Sequence, residues 1–234
     1  MKTSSQKVYA YSGVAMMVLL LVALVIAGWL PPPGPHDSAQ QVAQDYRTHT
    51  TAIRIGMMVG IFGAALLGPF VASIAVQMRR IDDGVGPSAY CQLALGSMLI
   101  IEFVLPFMIF EVAAFRPERS PAITLALSDI GWILLVGTVS TAVVELILVG
   151  FAIGADERET PIFPKWAAAF SYFVAAVFSL GAGAVFAQHG PFAWNGLLSF
   201  WVPLSVFGGW LVVMTVLLVQ AIDRQEAEAV AALK

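Results

Sequence analysis

Charged side chains are what this chain has least of. Among its 234 residues are 12 Lys or Arg and 15 Asp or Glu, together 12%, where soluble domains run nearer a quarter. With 59% apolar residues and a mean hydropathy of +0.84, the chain is built for lipid. A net charge of −3 leaves no basic patch for a nucleic-acid partner. The single cysteine, Cys91, excludes an internal disulfide, a Cys-X-X-Cys redox pair and a cysteine-based zinc site, and reads as a small apolar filler.

Other absences narrow the chemistry. The lysines, Lys2, Lys7, Lys165 and Lys234, all fall at ends or in loops, so no retinal Schiff base can form inside a span. His36, His49 and His189 lie in loops or at helix ends, which excludes a haem held between two facing imidazoles. His49 and His189 could meet Asp45 or Asp37 around a metal, but no ligand spacing supports this, and they read as polar loop residues. No metal and no cofactor is expected. H-E-x-x-H, G-x-S-x-G and phosphate-loop patterns are missing. That leans against an enzyme without removing one, since membrane enzymes can lack such motifs.

What is present is a set of six apolar runs, each long enough to cross a hydrocarbon layer that needs about 20 helical residues. They lie at Gly13–Leu30, Ile53–Val76, Leu93–Phe115, Ala122–Ile153, Trp166–Ala187 and Leu197–Val219. No lipid-in, lumen-out alternation is seen, so the spans are helices that satisfy their own backbone. The expected fold is an all-α bundle of six transmembrane helices forming one domain, 1–234. The first run has a basic start but no small-X-small cleavage site, and "WLPPPGPHD" follows with Trp29 at an interface, so a retained anchor is expected rather than a signal peptide.

Lys and Arg set the orientation. With the N-terminus inside, the inner side holds Lys2, Lys7, Arg79, Arg80, Arg158, Lys165, Arg224 and Lys234, and the outer side holds Arg47, Arg54, Arg116 and Arg119. This predicts both termini in the cytoplasm and a bacterial inner-membrane location, with Trp166 and Trp194 at interfaces. In the first outer loop, Asp37 or Ser38 begins a Gly- and Pro-free stretch that predicts an interfacial helix or an extension of span two. The loop "GADERETPIFPK" reads as a solvated connector. Gly56, Gly60 and Ala64 share one face, suited to close helix packing inside the chain or to a homodimer seam. The segment His189–Trp201 reads as an interfacial anchor or the lip of a pocket. "GPF" occurs twice, at 68–70 and 190–192, which is too little for an internal repeat.

Four acids nevertheless sit inside the spans: Glu102, Glu111, Asp129 and Glu145. A charge at mid-span costs about 3 kcal/mol on insertion scales. Counted from the run ends at 1.5 Å per residue, Glu102 and Glu145 both lie roughly 12–14 Å from the inner side. If spans three and four form a hairpin, the two carboxyls approach each other. No Lys or Arg shares their depth, so they share a proton or bind a cation or a basic ligand group. Glu111 and Asp129 form an outer layer, which Arg54 is expected to reach and neutralise. Glu102 and Glu111 face opposite ways on a straight helix, although Pro106 between them can kink it. The bland alternative is that protonated carboxyls merely bond neighbouring helices.

The stretches "TTAIRIG" (50–56), "FRPERSP" (115–121), "PIFPKW" (161–166) and "GPFAWNGLLSFW" (190–201) resemble a group of six-span bacterial membrane proteins without an assigned reaction. The resemblance would cover most of the chain. It implies the six-span fold and transfers no activity, cofactor or site residue.

Three functions follow. The first is transport or binding of a small or hydrophobic molecule, linked to protons or cations through Glu102 and Glu145, with Glu111, Asp129 and Arg54 as an outer gate. The second is a non-catalytic partner or assembly subunit of a larger membrane complex, or a homo-oligomer. The third is a membrane-embedded enzyme on a lipid-like substrate, with carboxylates as acid and base.

Overall fold

In a computed structural model of the chain, residues 3–82, 84 and 86–231 are described. Lys2 and Lys234, two of the residues used for orientation, lie outside them. The chain is an all-α bundle, 80% helical and without strands among the described residues. Six of its helical stretches are long and apolar enough to span a membrane: Ser5–Ile26, Thr50–Ile81, Ser88–Phe115, Pro121–Ala155, Trp166–Phe186 and Leu197–Ala231.

The elements are α1 (Thr3–Ile26), α2 (Ala39–Thr48), α3 (Thr50–Ala65), α4 (Leu67–Ile81), α5 (Ser88–Phe115), α6 (Pro121–Gly137), α7 (Ser140–Ala155), α8 (Trp166–Phe178) and α9 (Val202–Ala231). A 3-10 turn (Ser179–Phe186) and a π turn (Leu197–Trp201) lie between α8 and α9. The start of α1 and the end of α9 share one end of the bundle, where Lys7 pairs with Asp223. The other end carries α2. Helix α5 is central, packing on α3, α4, α6 and α7, while α1 packs on α3, α4 and α9.

Helix α2 starts where its sequence says it should. Ser38 caps it, its side chain accepting from Gln41 N while the Gln41 side chain accepts from Ser38 N, a reciprocal capping box.

Two spans that read as single runs are broken. Span two divides at Leu66, because Pro69 has no N–H to give the carbonyl one turn back. Span four divides at Thr138–Val139. Its length foreshadows this: a straight helix over Pro121–Ala155 would run about 50 Å through a layer of about 30 Å. The break falls where Gly137, two β-branched residues and Ser140 weaken the helix together.

Small residues set the closest approaches. A Cβ on Gly56 would meet the Ala23 carbonyl oxygen at 2.5 Å, one on Gly60 would meet the Phe107 ring at 3.0 Å, and one on Gly63 would meet Leu19 at 2.8 Å. The small-residue stripe of α3 is therefore used inside the chain, against α1 and α5.

Three expectations about the ends need correction. Trp29 is no interfacial anchor: it is buried, donates from Nε1 to Asp45 Oδ2 at 3.0 Å, and packs on Tyr46, Phe110 and Trp132. Trp194 is likewise buried and donates to the Pro33 carbonyl at 2.9 Å, tying the 190–196 turns to the first loop, whereas Trp166 is exposed. The connector after α7 is folded rather than merely solvated. Buried Asp156 accepts from Ile162 N at 2.8 Å, and Ile162 and Phe163 join the core.

Gly56→Ala should lower thermal stability in detergent by about 1–3 kcal/mol, because a backbone oxygen cannot move aside. Gly209→Ala, where a Cβ meets nothing within 4 Å, should leave it unchanged or slightly higher. Paired melting curves check this.

Candidate functional site

Three of the four intramembrane acids fall on two separate features, and Glu111 on neither. On the seam between α5 and α7, the helices run antiparallel and two polar pairs cross it. Thr141 Oγ1 donates to Glu102 Oε1, and Gln92 Nε2 donates to Glu145 Oε1 at 2.9 Å. Thr141 and Glu145 are one turn apart on α7, so both face α5. Gly96 makes room for the second pair, since a Cβ there would sit 2.8 Å from Glu145 Oε1. Glu145 is 5% exposed and Gln92 fully buried. Each carboxyl is thus held by a neutral partner, and among the described residues neither has a cationic one. Glu102 Oε2 and Gln92 Oε1 are buried with no partner.

The two carboxyls are on one seam, yet they do not bond to each other. The expected equal depth was counted from the apolar run ends, and the helices extend past them unequally. Glu102 is fourteen residues from the start of α5 at Ser88, and Glu145 ten from the end of α7 at Ala155. That places Glu145 about 6 Å nearer the terminal end. Gln92 and Thr141 were passed over because a neutral polar residue barely lowers the hydropathy of a span.

The outer gate is not assembled. Arg54 lies on the exposed face of α3, with its guanidinium carbon 6.0 Å from the centre of the Phe115 ring, and it bonds neither Glu111 nor Asp129. Its helix phase explains this: Ile53, Gly56, Met57 and Gly60 form the buried stripe, and Arg54 faces away from it. Glu111 Oε1 is buried without a partner. Asp129 lines a cavity under the first loop instead.

Irregular backbone converges beside the seam. Gly181 of the 3-10 turn would carry its Cβ 2.7 Å from the Val136 carbonyl oxygen and 2.9 Å from Val139, so that turn lies directly on the break in span four. Ser199 of the π turn donates to the Phe192 carbonyl at 2.9 Å. Between these segments, α1 and α5 is an apolar crevice of about 80 Å³, walled by Leu20, Phe103, Phe107, Val136, Val139 and Phe200 among others. Non-helical backbone at membrane depth is tolerated where protein buries it or a cavity adjoins it, and both hold here. The break joins the two features: Val139 walls the crevice, and two residues on Thr141 holds Glu102. On α5, Phe103 of the crevice follows Glu102 directly.

The polar cavity at the α2 end has a volume of about 300 Å³ and is lined by the first loop, α2 and α6. Burial pushes the Tyr46 phenol well above its usual range, so it remains a neutral hydroxyl; Ser128 stands beside it, but no partner meets it in bonding geometry. His49 Nδ1 lies 2.8 Å from Asp45 Oδ1, and the His36 and His189 rings stand 5.3 Å apart. Among the described residues, no three His, Cys, Asp or Glu come close enough to hold a metal ion.

No family model, curated protein or solved structure matches the chain. The fold and this geometry are what the functional reading rests on.

Gln92→Leu should destabilise the protein by about 1–3 kcal/mol, since it strands the buried Glu145 carboxyl. Adding Glu145→Leu should recover most of the loss, because two apolar partners leave nothing unsatisfied. A double-mutant cycle read by thermal unfolding checks both.

Proposed function

We propose that the protein binds or moves a small apolar molecule through the crevice, in a step linked to proton or cation exchange at Glu102 and Glu145. One observation carries this reading: the break in span four puts a crevice wall, Val139, and the Glu102 partner, Thr141, on the same few residues. A molecule that pushes the crevice open moves the start of α7, and with it the hydrogen bond on Glu102. Conversely, a change of charge at Glu102 alters its attraction to the first turn of α7, the positive end of that half-helix. Broken helices at mid-membrane that line a cavity are how many transporters build their sites. A crevice of about 80 Å³ admits an apolar tail or a small group in this conformation, not a whole lipid.

In this reading the chain sits in a bacterial inner membrane with both termini in the cytoplasm. Arg79, Arg80, Arg158, Lys165 and Arg224 would then lie inside, as the distribution of positive charge favours. Less favours the enzyme reading: the Thr141 hydroxyl donates to Glu102, but among the described residues no third charged group meets that pair to orient or activate it.

Native mass spectrometry of protein extracted gently from its own membrane tests the proposal. A bound small apolar molecule is expected, retained by the wild type and lost from Val139→Trp, which fills the crevice. A chain that instead carries a stoichiometric protein partner and no small molecule would replace this reading with that of a partner subunit.

A further inference from the structure

Arginines gather at the end of the bundle away from α2. Arg80 from the last turn of α4, Arg158 from the loop after α7 and Arg224 from α9 line one pocket of about 70 Å³, and Glu228 is the acid in its wall. A ligand can reach all three: the side chains of Arg80 and Arg158 are 21% and 33% exposed, and Arg224 is half-buried. Arg80 stands within electrostatic reach of both the others. Like charges held together at a partly buried site repel unless an anion lies among them.

Two of these guanidiniums are held in place with donors to spare. Arg224 donates to the Pro161 and Ile162 carbonyls, which fixes the loop against α9. Arg80 donates from Nη1 to Gln77 at 2.7 Å and from Nη2 to Glu228 Oε2 at 2.8 Å. A guanidinium has five N–H donors, so these bonds leave several on each. Asp156 lies 3.6 Å from Arg158 Nε, but it is buried and its oxygens accept from the Ile162 and Arg158 amides. Glu228 shows what the pocket attracts. Its carboxylate is drawn onto Arg80 from near the end of α9, yet its side chain is 67% exposed, and so exposed a pair is weak enough to exchange. Phosphate oxygens match the fork of a guanidinium and bind it more strongly than a lone exposed carboxylate does.

A second, independent observation is depth. Arg80 lies four residues beyond the apolar run that ends at Val76, and Arg224 five beyond the one that ends at Val219, or about 6–8 Å along their helices. The headgroup layer on each side of a bilayer is about 5–8 Å thick. Exposed Trp166, which opens α8 after the same loop, suits that boundary. The guanidiniums thus stand at the level of lipid phosphates.

We propose that the pocket between α4, α9 and the loop after α7 binds a phosphate group of net negative charge, with Arg80 and Arg224 as donors and Glu228 as the carboxylate it displaces. The phosphate belongs to an anionic lipid headgroup or to a free phosphate ion. The site stands apart from the α5–α7 seam and does not rest on the function proposed for it.

Calorimetric titration of the whole protein in dodecyl maltoside tests the proposal. The probes are dioctanoyl phosphatidylglycerol and inorganic phosphate, and dioctanoylglycerol, which has the chains without the phosphate, is the control. Saturable binding of an anionic probe is expected, about tenfold tighter than the control and weakened about tenfold in Arg80→Gln. Glu228→Gln removes the competing carboxylate and should tighten the same probe about threefold, which loss of a merely structural ion pair would not do. Should Arg80→Gln fail to match the wild-type melting curve, Glu228→Gln, at an exposed position, decides the matter. Phosphatidylglycerol binding that inorganic phosphate does not displace would assign the site to a headgroup, and displacement to a free phosphate ion. Binding of neither anion beyond that of dioctanoylglycerol, or affinities unchanged in both variants, would overturn the proposal.

Discussion

Little water reaches the hydrocarbon layer to satisfy a polar group, so a carboxyl, amide or unpaired carbonyl at that depth is costly unless a neighbour in the protein meets it. This constraint accounts for the least ordinary parts of the molecule. Glu102 and Glu145 do not face lipid with their carboxyls free; each turns onto the α5–α7 seam, where Thr141 and Gln92 meet it. The non-helical residues at 138–139 are covered by the 3-10 turn through Gly181, whose missing side chain permits the contact. Each polar feature needs a specific neighbour, and those neighbours fix how α5, α6, α7 and the turns before α9 are arranged.

The same constraint is what would make the seam responsive in the proposed function. A carboxyl held by a neutral donor has no fixed charge opposite it, so its protonation and its hydrogen bond change together. Thr141 stands at the first turn of α7, immediately after the break, where the backbone can shift without unwinding a whole helix. Phe103 and Val139, beside Glu102 and Thr141 in sequence, wall the apolar crevice, and in the proposed function they would carry such a shift into it. The Phe207–Trp210 stack and the hydrogen bond from Trp210 Nε1 to Ser171 Oγ tie α9 to α8 across the bundle.

Much of the fold was legible in the sequence, and for a physical reason. Burial in lipid demands about 20 consecutive apolar residues, and six such runs stand out against very little charge. The helix after Ser38 was legible because its cap lies in local sequence. The breaks were harder to see: that of span two follows from Pro69, whereas that of span four is written only in excess length and a few weak helix formers. The carboxyls were legible because they are costly. Their true partners were not, because Gln92 and Thr141 disturb hydropathy little and meet the acids only through helix register. The Arg54 assignment failed on helix phase, since proximity along the membrane normal says nothing about which face a side chain takes. The cavity under the first loop was invisible, because Trp29 and Trp194 read as interface anchors until tertiary contacts turned them inward.

The central claim is that the α5–α7 seam holds carboxyls that exchange protons with their surroundings. Infrared difference spectroscopy of the reconstituted protein, transferred between H2O and D2O, addresses it directly. The account predicts a protonated-carboxyl carbonyl band that shifts on exchange and loses part of its intensity in Glu102→Gln and in Glu145→Gln. A spectrum with no such band, or one unchanged in both variants, would contradict it.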